Sequence, residues 1–164
     1  MELMRVELED GSVSEREIIK HRGAVGVLVR RTDGRFILVR QFRKAIEDYC
    51  IEIVAGLIEP GESERECALR ELREETGHEA LRMVELGDVI MAPGYSNERI
   101  SLYYATVGDH EVEQDLDEGE HVEVVDFSPD ELERLVKDGT VEDGKTLSAL
   151  LLYKIASEVE LEGE

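Results

Sequence analysis

Apolar residues take every second place early in the chain. Met4, Val6 and Leu8 alternate with polar neighbours up to Asp10-Gly11, and Val13 and Ile18 continue the pattern more weakly, which predicts a small hairpin over residues 1–20. Denser apolar runs at 24–29, 36–42 and 49–55 predict strands; Thr32-Asp33-Gly34 joins the first two and Gly56 ends the third. Ser63 and Glu66 form a capping box and Gly77 suits a left-handed C-terminal cap, so the spacing predicts a helix over 64–76. Further strand runs at 83–90, 100–107 and 122–127 lead to a short helix capped by Ser128 and Glu131 and a final helix over about 146–159. Strands interrupted by one central helix and closed by C-terminal helices predict a mixed α/β (α+β) fold, its mixed sheet held between helical layers. The expected division is an N-terminal β segment, 1–20, and one main domain, 21–164.

Length and composition narrow what such a fold can do. With 164 residues and 41% hydrophobic content, one core is expected. Forty acidic against 19 basic side chains give a formal charge of −21, the wrong sign for a nucleic-acid surface, so a polyanionic substrate would need a cation as intermediary. The 36% charged content, above the usual level of about 25%, is compatible with heat or salt adaptation. Cys50 and Cys67 show no metal or redox spacing and read as structural thiols. No long apolar stretch suggests a signal peptide or membrane span, and a cytoplasmic protein without membrane partners is expected.

Within the predicted helix, Glu71, Glu74 and Glu75 fall along one face at spacings of three and four. Like charges so stacked repel, so a cation belongs among them, and hard carboxylate oxygens suit Mg2+, with Mn2+ as an option. The plain alternative is a solvated acidic face paired with Arg65, Arg70 and Arg73. The surrounding spacing goes further. Gly56, Glu62, Arg70, Glu71, Leu72, Glu74, Glu75 and Gly77 fit Gly-x5-Glu-x7-Arg-Glu-aliphatic-x-Glu-Glu-x-Gly, and here the chain resembles the Nudix hydrolase family; His78 departs from the aliphatic residue that usually ends the box. The resemblance implies a Nudix α/β/α sandwich with Glu71, Glu74, Glu75 and the Ala55 carbonyl as metal ligands. It also implies that Arg70 holds the glutamates and Glu62 braces the loop. Physically, Gly56 permits a sharp exit from its strand and Arg70 offers a fork to a carboxylate.

Three further features resemble the ADP-ribose pyrophosphatase branch of that family: Pro93, sixteen residues beyond Gly77; the run Arg40-Gln41-Phe42-Arg43; and Ile51 to Gly56, with Val54 where the branch usually has proline. The resemblance implies Arg40, Arg43, Glu52, Pro93 and Glu98 as substrate-binding residues. The two arginines suit phosphate or a nucleobase, and Glu98 suits a ribose hydroxyl. In the acidic loop 115–120 it implies Glu118 as general base and Glu120 as an extra metal ligand, so the expected catalytic set is Glu118, Glu74, Arg70 and Glu62. The expected reaction is Mg2+-dependent hydrolysis of ADP-ribose to AMP and ribose 5-phosphate. GDP-mannose, UDP-glucose, NADH and FAD are alternative substrates, and a non-catalytic ADP-ribose sensor is an alternative class. The branch also implies a homodimer paired through the N-terminal segment.

One other motif competes. Residues 139–146 satisfy the Gly-x4-Gly-Lys-Ser/Thr phosphate-loop pattern, but the preceding stretch reads as a helix rather than a buried strand, and Glu142 and Asp143 oppose phosphate. A turn into the last helix is the expected role, with Lys145 nearly silent in diphosphate hydrolysis.

Overall fold

The computed structural model describes residues 1–116, 119 and 121–161, with side chains to Ser157. Strands β1 (Glu2–Glu7) and β2 (Val13–Ile18) pair antiparallel as a separate two-stranded sheet. The main sheet contains β3 (Ala24–Arg31), β4 (Phe36–Arg43), β5 (Asp48–Glu52), β6 (Val54–Leu57), β7 (His78–Ile90), β8 (Arg99–Glu111) and β9 (Val122–Phe127). Its path runs β5-β4-β3-β8-β7, with β6 joined to β3 and β9 to β4; β3 and β8 run parallel, and the other pairs are antiparallel.

Alternation along β3 explains the layering. Val25, Val27 and Val29 meet helix α1 (Glu64–Thr76) through Cys67, Ala68 and Leu72. Ala24 and Leu28 face Leu132 of α2 (Pro129–Lys137) and Ala149 of α3 (Gly144–Leu161). Buried on both faces, β3 reads as a continuous apolar run. The result is the expected helix–sheet–helix sandwich.

Two of the differences from the expected boundaries have a clear physical cause. The run 49–55 predicts one strand, yet the chain changes neighbour at Ile53: β5 pairs with β4 and β6 crosses to β3. The Ile53 N–H, lost from the ladder, donates to Thr146 Oγ1 at 2.9 Å. The run 83–90 extends back to His78 because the chain enters β7 directly from Gly77, and bulges between His78 and Gly87 disturb the alternation on which the expectation relied.

Candidate active site

The two ends of α1 are fixed as its sequence requires. Ser63 accepts from Glu66 N–H, the Glu66 carboxylate accepts from Ser63 N–H, and Gly77 closes the helix at φ 69°, donating to the Arg73 carbonyl. A Cβ at Gly77 would overlap the Val112 carbonyl oxygen, because the chain leaving β8 crosses tightly over the helix end. Val112 N–H donates to the Gly77 carbonyl at 2.9 Å, Asp115 N–H to the Glu74 carbonyl at 3.0 Å, and the Gln114 amide to the Glu75 carbonyl. The acidic loop thus departs from the C-terminal end of the glutamate helix. Glu118 and Glu120 lie outside the described residues.

Arg70 is the hub of the helix face. Its Nε and Nη2 donate to the two Glu62 oxygens at 2.8 and 3.0 Å, and its Nη1 donates to Glu71 at 2.6 Å and Glu74 at 2.9 Å. Nη2 also reaches the Leu57 carbonyl at 3.2 Å. Glu62 accepts from Glu59 N–H at 3.0 Å as well, tying the loop after β6 to the helix. Hydrogen bonding from Arg70 lowers the Glu62 pKa from its usual 4.5 to about 2, and the same bonds raise that of Arg70. Burial pushes the Cys67 thiol up to about 12, which suits the structural role expected of it.

Gly56 sits against this face. Its φ is not left-handed, so backbone freedom is not what the position demands; a Cβ there would fall within the Glu71 carboxyl group. Only glycine lets Glu71 lie against the strand that carries the Ala55 carbonyl. Glu75 is buried, 4% exposed, one turn further on. Among the described residues no three acidic, histidine or cysteine side chains already converge as a metal cluster, and Arg70 supplies the positive charge near Glu71 and Glu74. The donor set and the glycine cradle nevertheless suit a hard divalent cation: carboxylates and a backbone carbonyl are oxygen ligands of the kind Mg2+ takes.

Ala55 and Gly56 also line a cleft of about 360 Å3, together with Arg43, Glu98, Asp143 and Lys145. Arg43 Nε and Nη2 grip the two oxygens of Glu52 at 2.6 and 2.7 Å, and that bond raises the Arg43 pKa. Glu98 is 3.4 Å from His21 Nε2, while His21 Nδ1 accepts from Gly23 N–H. Of the other expected substrate residues, Glu52 lies behind Arg43 at 1% exposure. Arg40 is turned elsewhere, stacked 3.8 Å over Tyr49 and paired with Glu123 at 2.9 Å. Pro93 is exposed in the turn 92–96 and is not part of the cleft wall.

Sequence reasoning missed Lys145. Helix α2 does precede the phosphate-loop-like run, as expected, but Lys145 is no surface turn residue: it is 8% exposed, paired with Glu52 and 3.0 Å from Asp143. The available signal was its place in the first turn of α3, where the helix dipole disfavours a cation unless acidic partners hold it.

The NUDIX domain family matches residues 20–150. An ADP-ribose pyrophosphatase of Bacillus subtilis is 40% identical over 146 residues, which is 88% of this chain and 79% of that protein. A methanol dehydrogenase activator of Bacillus methanolicus is also 40% identical over 146 residues, with the same two shares. Among solved structures, an ADP compounds hydrolase superimposes with a TM-score of 0.81 at 29% identity, covering 98% of this chain and 86% of that one. With its glutamate helix, glycine-bounded strand and sandwich architecture, the chain belongs to the Nudix hydrolase family.

Proposed function

We propose that the protein hydrolyses the diphosphate bond of ADP-ribose with Mg2+, giving AMP and ribose 5-phosphate. The observation that carries this reading is the close approach of Glu71 to Gly56, which sets a helix carboxylate against the strand whose Ala55 and Gly56 line a cleft with Arg43. The relatives named for ADP-ribose and ADP compounds support the substrate.

In this reading Glu71, Glu74, Glu75 and the Ala55 carbonyl hold the cation, with Glu120 as a further ligand. When bound, Mg2+ supplies charge neutralisation on the diphosphate oxygens and acidifies water. Arg43, in the cleft wall, binds the diphosphate, and Glu98, oriented by His21, accepts from a ribose hydroxyl. Arg70 and Glu62 keep the helix face and the preceding loop in register. Glu118 takes the proton of the attacking water, in a loop whose start is anchored to the Glu74 carbonyl. The segment 1–20 pairs two copies of the domain 21–164 as a homodimer.

A panel of ADP-ribose, GDP-mannose, UDP-glucose, NADH and FAD, assayed with Mg2+ and with Mn2+ and read by product mass, tests the proposal. ADP-ribose should give AMP and ribose 5-phosphate at the highest kcat/KM, and Glu75→Gln should abolish turnover while leaving the fold intact. Preference for another diphosphate would replace the substrate, and unchanged turnover in Glu75→Gln would sink the metal assignment.

A further inference from the structure

Lys145 lies in the cleft wall beside Arg43, Ala55, Gly56 and Glu98, with only a tenth of its side chain exposed. A buried ammonium is costly unless its partners are good. Its partners here are Glu52 and Asp143. The Glu52 carboxylate is buried almost completely, and one of its oxygens is shared between Lys145 Nζ and Arg43 Nη2, the other going to Arg43 Nε. The four side chains form a row, Asp143–Lys145–Glu52–Arg43, with Arg43 the most exposed member at 44%. Among the described residues no acceptor engages Arg43 Nη1.

The charges in this row are unevenly committed. Asp143 caps α3, its second oxygen accepting from Thr146 N–H at 2.9 Å and from Thr146 Oγ1 at 2.6 Å, and the amino end of the helix offsets its charge. Without Lys145, Arg43 would be the sole counter-ion of a buried carboxylate, and the pair would present little net charge to an incoming anion. With Lys145 in place, Glu52 is satisfied from behind. Arg43 is then held by its side-on fork, and its outer edge keeps a positive potential.

We infer that Lys145 is a positioning residue for the diphosphate: acting through Glu52, it fixes Arg43 and keeps its charge directed to substrate. The inference rests on the reading of this cleft as the diphosphate site. It reverses the expectation that Lys145 is nearly silent.

Steady-state kinetics with ADP-ribose and Mg2+ on the full chain test it, using Lys145→Met, Lys145→Arg, Arg43→Met and the Lys145→Met/Arg43→Met double variant. Lys145→Gln, which still donates to Glu52, serves if Lys145→Met fails to fold. Lys145→Met should raise KM about tenfold or more while kcat stays within about threefold, as expected when one partner of a buried charge pair that orients a binding group is removed. Lys145→Arg should restore part of the loss. In the Arg43→Met background, removing Lys145 should add less than about twofold, because its effect passes through Arg43. Unchanged KM in folded Lys145→Met, or in Lys145→Gln where Lys145→Met does not fold, would overturn the inference, and so would losses that multiply in the double variant, which would mark a direct contact. Should the wild-type protein hydrolyse no ADP-ribose, the substrate reading fails separately, and titration with inorganic pyrophosphate without metal decides the point. Binding weakened about tenfold in both Lys145→Met and Arg43→Met supports the row; wild-type binding that is absent, or no tighter than theirs, overturns it.

Discussion

At position 56 the missing side chain matters more than a flexible backbone. A methyl group there would collide with the Glu71 carboxyl, which cannot retreat freely because Arg70 holds it at 2.6 Å. Gly56→Ala should therefore displace Glu71. Expected outcomes are a stability loss of about 1–3 kcal/mol by denaturant unfolding and a fall in kcat of about a hundredfold or more, as misplacement near 1 Å can cause; near wild-type turnover would contradict the cradle. Residue chemistry of this kind was partly legible in the sequence. The glutamate spacing, both capping boxes and the Gly77 cap follow from local rules and appear in the structure. The reason for Gly56 was not legible, since it depends on a side chain fifteen positions away across a loop. Lys145 stayed hidden for a similar reason, its buried partner Glu52 lying 93 positions away.

Between residue and molecule, the loop from β6 to α1 is held chiefly by one carboxylate. Glu62 accepts from Arg70 twice and from Glu59 N–H once, so losing its charge loosens the loop and leaves the guanidinium to Glu71, Glu74 and the Leu57 carbonyl. Its folded pKa, about 2, is below the ordinary 4.5. The sign is that of a depressed carboxylate: the stabilisation is fully present above about pH 4.5 and fades as the pH falls toward 2. Glu62→Gln should cost about 1–2 kcal/mol in urea unfolding at neutral pH. Its stability curve should approach that of the wild type between pH 4.5 and about 2, and a pH-independent gap would argue against the pairing. At this scale the strands were visible in the sequence but the partner change at Ile53 was not. Hydrophobic pattern reports burial, and Glu52, Ile53 and Val54 are all buried across the change.

For the whole molecule, the hairpin of β1 and β2 is the element with least to hold it in place. A two-stranded sheet is marginal alone, and this one leaves Met1, Leu3, Met4, Leu8 and Val13 exposed. It is tethered to the domain through Ile19, whose N–H donates to the Tyr95 carbonyl at 2.8 Å, and through His21, whose N–H donates to Asn97 Oδ1 at 2.7 Å. Solution scattering at micromolar concentration should give a dimeric mass, and removal of residues 1–18 should reduce it to that of a monomer. A monomeric mass for the full chain would end the pairing proposal. The fold class and layer order were legible because alternation along β3 and the capped helices are strong signals; the strand order was not, because the parallel pairing of β3 with β8 joins residues far apart in sequence.

The hydrogen bond from Ile53 to Thr146 closes a span of 93 positions. Its consequence lies in the order of assembly. A chain still emerging during synthesis can form the capped glutamate helix from local sequence, but the bend between β5 and β6 lacks its anchor until the start of α3 arrives. The glutamate face can thus exist in outline before the cleft beside it gains the part of its wall that Asp143 and Lys145 supply.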